Sequence, residues 1–518
     1  MRVTRSGRRS IFLLGLVLTV ALAVRLLFLT RNGLWFDEAI VLHRCSLPFG
    51  EMLRFIRSGD NTPPLHYILM WGYLRLVGGG QTAAEIPSVL ASLVGIVYLY
   101  RLGRELLGTA EGGLRAAALL AGSTFYLKYS WEIRCYSLLA TLSIASAFYA
   151  LRSWNRPHDR KALLKYVLAA SLALNTHYFA ALPLLSLNLI AFGRLRPFRR
   201  LCAWTAAQGV VLLSMLPWAI GIGTQFNRVA SGFWIPPLTI PWFFGQFFPT
   251  VSFNFQRFLQ PALDPAGAAI RWADVPLPGW IVLAVFSAIL LLCLAGLRSR
   301  DLRFPAVFAL TGLLFPIGLV VIISLTVQPL FLERYFSSFM PFLALGGAVA
   351  LERTAPRPRA AVLGVLIVLL GLDTISMIRH PHEQAPRKLA AFLDETCEAD
   401  DRIIFLSPYL YFPVSYYTQG RLDLRIFMTK GGWEPIALEV PPGNVLSVEH
   451  GSRATEGADR VFVVSGYYYD SGYEKKVETG WREWLRMEPS AVRRIRHVGP
   501  AGTLWLYEKP EPARDDLP

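Results

Sequence analysis

The sequence predicts a polytopic α-helical membrane protein with a small C-terminal α/β domain outside the membrane. Three observations predict it. Of the 518 residues, 53% are hydrophobic, more than an ordinary water-soluble domain carries. Apolar runs of about twenty residues, enough to cross a hydrocarbon core of about 30 Å, recur from Ile11 to Ile378. Beyond His380 these runs stop, and short strand-like stretches bounded by Gly, Pro and Asp replace them.

The first element is "IFLLGLVLTVALAVRLLFLT", preceded by the basic "MRVTRSGRRS". That start resembles a signal peptide, but the run is long, lacks a small-residue cleavage site and is followed by many more spans. It is read as a retained first helix. Spans are expected at about 11–29, 84–100, 114–131, 137–152, 161–177, 178–193, 201–221, 279–297, 304–326, 336–351 and 360–378. "PPLHYILMWGYLRL" (63–76) is apolar but short, and reads as an interfacial or re-entrant helix or half of a two-part span. "GEMLRFIR" places Met52, Leu53 and Ile56 on one face, as in a helix lying along the surface. The expected domains are therefore 1–379 in the membrane, with a first external loop at about 30–62, and 380–518 outside it. In the latter, "RKLAAFLDETCEADDRIIFLS" reads as an amphipathic helix, an acidic turn and a buried strand. "RVFVVSG" (460–466) and "GTLWLYEK" (502–509) read as further strands.

The formal net charge of +16 would suggest nucleic acid in a soluble protein. Here the arginines and lysines sit in short loops between apolar runs, which is the positive-inside pattern, so no nucleic-acid partner is expected. Arg2, Arg5, Arg8 and Arg9 place the N-terminus in the cytoplasm. "RSWNRPHDRK" (152–161), "GRLRPFRR" (193–200), "RSRDLR" (298–303) and "ERTAPRPR" (352–359) fall on the same side once eleven crossings are placed. The expected location is the plasma (inner) membrane, with the C-terminal domain extracytoplasmic. Five scattered cysteines, with no C-x-x-C pair, indicate neither a disulfide framework nor a zinc site. P-loop, G-x-G-x-x-G, H-E-x-x-H and G-x-S-x-G motifs are missing, which argues against an ATP-driven pump or a familiar hydrolase.

The same sidedness brings "NGLWFDEA", "GDNTPPLH", "YSWEIRCYS" (129–137), "NTHYF" (175–179), "FWIPP" (233–237) and "QPLFLERYF" (328–336) to the outer face. Ionisable groups at that depth are costly and usually serve function. Asp37 and Glu38 lie between the apolar "LWF" and "AIVL". A partly desolvated carboxylate there suits a general base, or hard oxygen ligation of a divalent cation. Glu132, Arg134 and Tyr136 in one segment, and Glu333, Arg334 and Tyr335 in another, each put an acid and an arginine at the outer end of a span. A snorkelling arginine paired with its neighbour explains one copy. Two copies on one side favour a shared anionic ligand, phosphate above all. His66, His177 and Tyr178 lie at the same level, with interfacial belt aromatics such as Trp35, Trp131 and Trp234.

The ordered set "LWFDEA", "NTPPLHYILMW", "EIPSVLASLVGIVYLYRLGRELLG", "YSWEIRCYSLL", "NTHYFAALPLL" and "RYFSSFMPFLAL" resembles the GT-C integral-membrane glycosyltransferases that use polyprenyl-phosphate sugars. The likeness is strongest to protein O-mannosyltransferases and lipid A aminoarabinose transferases. It implies a GT-C fold of about 11–13 transmembrane helices and an inverting transfer from a polyprenyl-phosphate donor to an extracytoplasmic glycolipid, polysaccharide or protein. Carried onto this chain, it makes Asp37 the catalytic carboxylate supported by Glu38, and Arg134 and Arg334 the donor-phosphate ligands. His66, Glu132, Tyr136, His177, Tyr178 and Tyr335 become supporting residues. No cofactor is implied beyond the divalent cation left open at the acidic pair. A β-trefoil external module and the lysine that aminoarabinose transferases carry near the end of the first external loop are both missing, so the acceptor stays open. The rival readings are a transporter or flippase of lipid-linked saccharides, or an envelope-assembly subunit. A transporter would show internal repeats and broken helices near the midplane, and no repeat is visible.

Overall fold

The structure is a computed structural model that describes residues 5–219, 237–240, 277–379, 384–427, 439–441, 444–446, 456–465, 491–497 and 503–508, with single residues between these stretches. Two compact units emerge. One comprises Met1–Leu29 and Asn61–His380, the other Thr30–Asp60 and Pro381–Pro518.

The first unit is helical. Its helices are α1 (Arg5–Leu26), α4 (Leu65–Val77), α5 (Gln81–Leu107), α6 (Ala110–Gly122), α7 (Thr124–Lys128), α8 (Tyr136–Asn155), α9 (Arg160–Thr176), α10 (Ala181–Arg194) and α11 (Phe198–Leu213). After a gap come α12 (Leu277–Gly296), α13 (Arg303–Thr326), α14 (Pro341–Arg353) and α15 (Pro356–Arg379). Each of the eleven expected spans overlaps one of these helices, although 201–221 runs past the end of α11 into residues outside those described, and 178–193 and 336–351 begin ahead of α10 and α14. The third is broken: Ser123 ends α6 and caps α7, its hydroxyl accepting from the Tyr126 N–H. The short segment 63–76 forms α4, of 13 residues. Among the described residues four helices are long and apolar enough to cross a membrane: α1, α5, α13 and the one beginning at Pro356. The protein is a multi-pass membrane protein. Lipid-compatible exposure fits this, since Ile11, Phe12 and Leu16 of α1 are 61%, 72% and 52% exposed.

Helix α5 is the spine, packing on α6 and α8. Gly113 makes the closest approach. A Cβ there would lie 2.4 Å from the Tyr100 carbonyl oxygen and 3.0 Å from the Arg104 amide nitrogen, so only glycine lets α6 touch the α5 backbone. The ion pair Arg115–Glu352 joins α6 to α14.

The second unit contains α2 (Phe36–Ser46), α3 (Phe49–Gly59), α16 (Gln384–Thr396), α17 (Pro408–Thr418) and a six-stranded sheet. The strands are β1 (Arg402–Phe405), β2 (Asp423–Phe427), β3 (Val445–Leu446), β4 (Arg460–Ser465), β5 (Val492–His497) and β6 (Thr503–Glu508), in the order β3-β2-β1-β4-β6-β5. β1 is parallel to β2 and β4, and β6 runs antiparallel to both β4 and β5. This is the expected small α/β domain. Its central strand β1 is buried along its whole length, as a parallel strand covered on both faces should be. Ala39 and Ile40 of α2 lie in the same core as Leu389, Leu393, Ile403, Phe405 and Val414. Helix α3 buries Met52 and Ile56, the face read from its spacing.

Candidate active site

In the helical unit the site is built around the turn between α7 and α8. Its backbone is fixed by serines: Ser130 donates to the Leu127 carbonyl at 2.6 Å, Ser137 to that of Tyr129 at 2.8 Å, and Ser88 of α5 to that of Glu132 at 2.5 Å. Such bonds set where the charged side chains stand before any ligand arrives. At one end of the turn Lys128 forms an ion pair with Glu333, and the Tyr129 hydroxyl donates to the same carboxylate at 3.3 Å. At the other end Arg134, 8% exposed, brings Nη1 to 3.5 Å from the Tyr67 hydroxyl. Its guanidinium lies 5.9 Å from the centroid of the Tyr136 ring.

Glu132 stands between these cations. Its Oε2 is buried and has no hydrogen-bond partner among the described residues. Burial pushes its carboxyl up to about 7, although Lys128, Arg334 and Arg134 all pull it down. Three cations therefore face two acids, one of which burial pushes toward its neutral form. The cluster keeps an excess of positive charge in a place where water screens it poorly.

Aromatic rings connect this cluster to the start of α10. Tyr136 lies 5.1 Å from Tyr129 and 6.2 Å from His177, centroid to centroid. His177 lies 5.6 Å from Tyr335, which stacks on Phe179 at 4.3 Å. The Phe179 N–H donates to His177 Nδ1 at 3.1 Å, so the proton of the neutral ring sits on Nε2. His66, at the start of α4, lies 6.0 Å from Tyr67, the residue that Arg134 approaches. Tyr178 is engaged elsewhere, its hydroxyl donating to Gln225 at 2.7 Å. Thus Glu132, Arg134, Arg334, Tyr136, His177, Tyr335 and His66 gather through short chains of contacts. Trp234 lies outside the described residues.

Asp37 and Glu38 belong to the other unit and sit in the first turn of α2, where a helix N-terminus favours negative charge. The two acids differ. Glu38 is 6% exposed and its Oε2 stands 3.4 Å from the Trp35 N–H at the start of its own helix. Asp37 is half-buried. Among the described residues no three His, Cys, Asp or Glu side chains assemble into a group that could hold a metal ion.

The sequence reading missed Lys128 and Tyr67, and took Tyr129 for an interfacial belt aromatic. Lys128 carried a usable signal: it is a lysine at a span end that the charge pattern assigns to the outer face, where that pattern leads one not to expect a lysine.

The fold is similar to that of solved membrane glycosyltransferases. The crystal structure of ArnT from Cupriavidus metallidurans bound to undecaprenyl phosphate matches with a TM-score of 0.57 at 15% identity, over 95% of this chain and 97% of that one. The oligosaccharyltransferase AglB from Archaeoglobus fulgidus, in complex with an inhibitory peptide and a dolichol-phosphate, matches with a TM-score of 0.50 at 12% identity, over 98% of this chain and 75% of that one. The arabinofuranosyltransferase AftD from Mycobacteria matches with a TM-score of 0.50 at 15% identity, over 96% and 39%. Residues 61–220 match the family described as dolichyl-phosphate-mannose-protein mannosyltransferase. That segment contains the turn with Lys128, Glu132 and Arg134. No curated protein matches the sequence.

Proposed function

We propose that the protein is an inverting membrane glycosyltransferase that moves a sugar from a polyprenyl-phosphate donor to an extracytoplasmic acceptor. The observation that carries this reading is the cationic cluster of Lys128, Arg134 and Arg334 around the buried Glu132, in a chain with the GT-C fold. Arg134 and Arg334 take the donor phosphate and stabilise the charge that grows on it as the sugar leaves, the kind of preorganised contact that dominates catalysis. Asp37 accepts the proton of the acceptor hydroxyl as its oxygen bonds to the anomeric carbon and the bond to the phosphate oxygen breaks. The products are the glycosylated acceptor and polyprenyl phosphate. Glu38 supports α2 at its N-terminus, and Tyr136, His177 and Tyr335 line the donor side. In this reading the chain lies in the plasma membrane with α2 and the sheet domain outside the cytoplasm.

The test is to offer the purified protein a panel of radiolabelled polyprenyl-phosphate sugars and follow release of polyprenyl phosphate. Consumption of one donor supports the reading and names the sugar. Protein that binds these donors, consumes none and moves them across vesicle bilayers would be a transporter instead.

A further inference from the structure

The acidic helix is bolted to the sheet domain in a way that sequence did not suggest. Two turns along α2 from Asp37, Arg44 is 2% exposed. Its Nε and Nη2 meet Glu439 Oε2 at 2.9 Å and Oε1 at 2.8 Å, a two-point fork on a carboxylate whose side chain is fully buried. Its Nη1 meets Asp60 Oδ2 at 2.6 Å, just past the end of α3. One guanidinium thus ties α2, the end of the first external loop and the C-terminal domain together. Beside it, His43 Nε2 lies 3.1 Å from the Glu439 carbonyl, and its ring packs 5.3 Å from Phe412.

The approach to α2 is held as well. The Leu34 N–H donates to the Tyr417 hydroxyl at 2.8 Å, and Arg387 donates to the Thr30 and Asn32 carbonyls at 2.9 and 3.0 Å. Phe36 stands edge-on to Tyr409 at 4.8 Å.

We infer that Arg44 and Glu439 are positioning residues for the acidic pair, and that the C-terminal domain through them is a working part of the active site. This rests on the transferase reading given above. The apolar contacts of Ala39 and Ile40 hold α2 against the core, but hydrophobic contact is non-directional and leaves rotation about the helix axis loosely set. A planar, two-point charge pair defines both rotation and axial register. Buried ion pairs add little stability over apolar packing, and defining a unique geometry is among their attested uses. Asp37 lies seven residues before Arg44, on the same side of the helix, so a small rotation at Arg44 carries directly to the carboxylate. Misplacement of about 1 Å can cost about a hundredfold in rate.

The experiment uses the full chain in detergent with Arg44→Ala, Arg44→Lys, Glu439→Gln and the swapped pair Arg44→Glu/Glu439→Arg. Hydrogen exchange is read on α2 and on β1 and β4, and turnover is read on the donor consumed by the wild type. We expect Arg44→Ala and Glu439→Gln to speed exchange in α2 at least tenfold while β1 and β4 keep their protection. Turnover should fall at least tenfold with donor KM within about twofold, and Arg44→Lys should recover part of it. Restored α2 protection in the swapped pair would add support. The inference is overturned if α2 exchange is unchanged, if β1 and β4 loosen equally, or if α2 loosens while turnover holds. If the wild type consumes no donor, the transferase reading fails on its own, and the exchange data still decide whether the pair fixes α2.

Discussion

Glu132 offers the sharpest quantitative prediction. Its carboxyl is pushed up to about 7 by burial, and its buried Oε2 finds no hydrogen-bond partner among the described residues. If an anionic phosphodiester binds well only when Glu132 is neutral, the competent fraction is about 0.9 at pH 6 and about 0.1 at pH 8, from a pKa near 7. The apparent Kd scales with the inverse of that fraction, so affinity should weaken about tenfold between these pH values. Glu132→Gln mimics the neutral form and should hold the tight affinity at both. The assay is binding of a non-reactive polyprenyl phosphodiester, which keeps a single negative charge across the range, followed by calorimetry or microscale thermophoresis. A free polyprenyl phosphate would not serve, because its own second proton comes off near pH 6. Flat binding in the wild type, or an unchanged slope in Glu132→Gln, refutes the assignment of Glu132 to the phosphate site.

Other expectations follow from the packing. Lys128→Met leaves Glu333 without its ion-pair partner in a largely buried position, and should lower stability by about 1–3 kcal/mol, seen as earlier thermal unfolding in detergent. Gly113→Val drives a side chain into the Tyr100 carbonyl and should prevent α5 and α6 from closing; the check is loss of the monodisperse peak on size-exclusion chromatography. In the sheet domain, burial alone would raise Asp401, but hydrogen bonds from Arg460, at 2.8 Å, and from the Glu398 N–H hold it below the usual carboxylate range. A depressed folded pKa stabilises above the ordinary value and is lost as pH falls through the folded one. Asp401→Asn should therefore be less stable than wild type at pH 7, with the gap closing in acid. Equal melting temperatures at pH 7 would contradict this.

Much of the architecture was legible because its cause is local. Hydrocarbon thickness dictates the length of the apolar runs, so α1, α5 and α13 stood out from composition alone. β1 and β4 were readable because strands covered on both faces are continuously apolar. β5 was not. It closes the sheet at one edge and carries Arg493, Arg494 and Arg496, which an edge strand tolerates and a hydrophobicity pattern hides. The broken span at Ser123 was also hidden, since a serine inside an apolar run looks like ordinary helix until its hydroxyl is seen capping α7.

The site divided in the same way. Residues that carry charge at the ends of spans, such as Arg134 and Glu132, were marked by their cost in that environment. Tyr67 and Tyr129 were not, because aromatic residues at an interface are expected in any case. The Arg44–Glu439 pair joins residues 395 positions apart in sequence. No local pattern announces such a contact; it becomes visible only in the folded chain.

The central claim is that Asp37 is the base of a sugar transfer from a lipid phosphate. The measurement is release of polyprenyl phosphate from the consumed donor by wild type and Asp37→Asn, alongside donor binding by both. Asp37→Asn should bind donor with unchanged affinity and turn over about a hundred- to ten-thousandfold more slowly, the usual contribution of a positioned base. Turnover within a fewfold of wild type would contradict it.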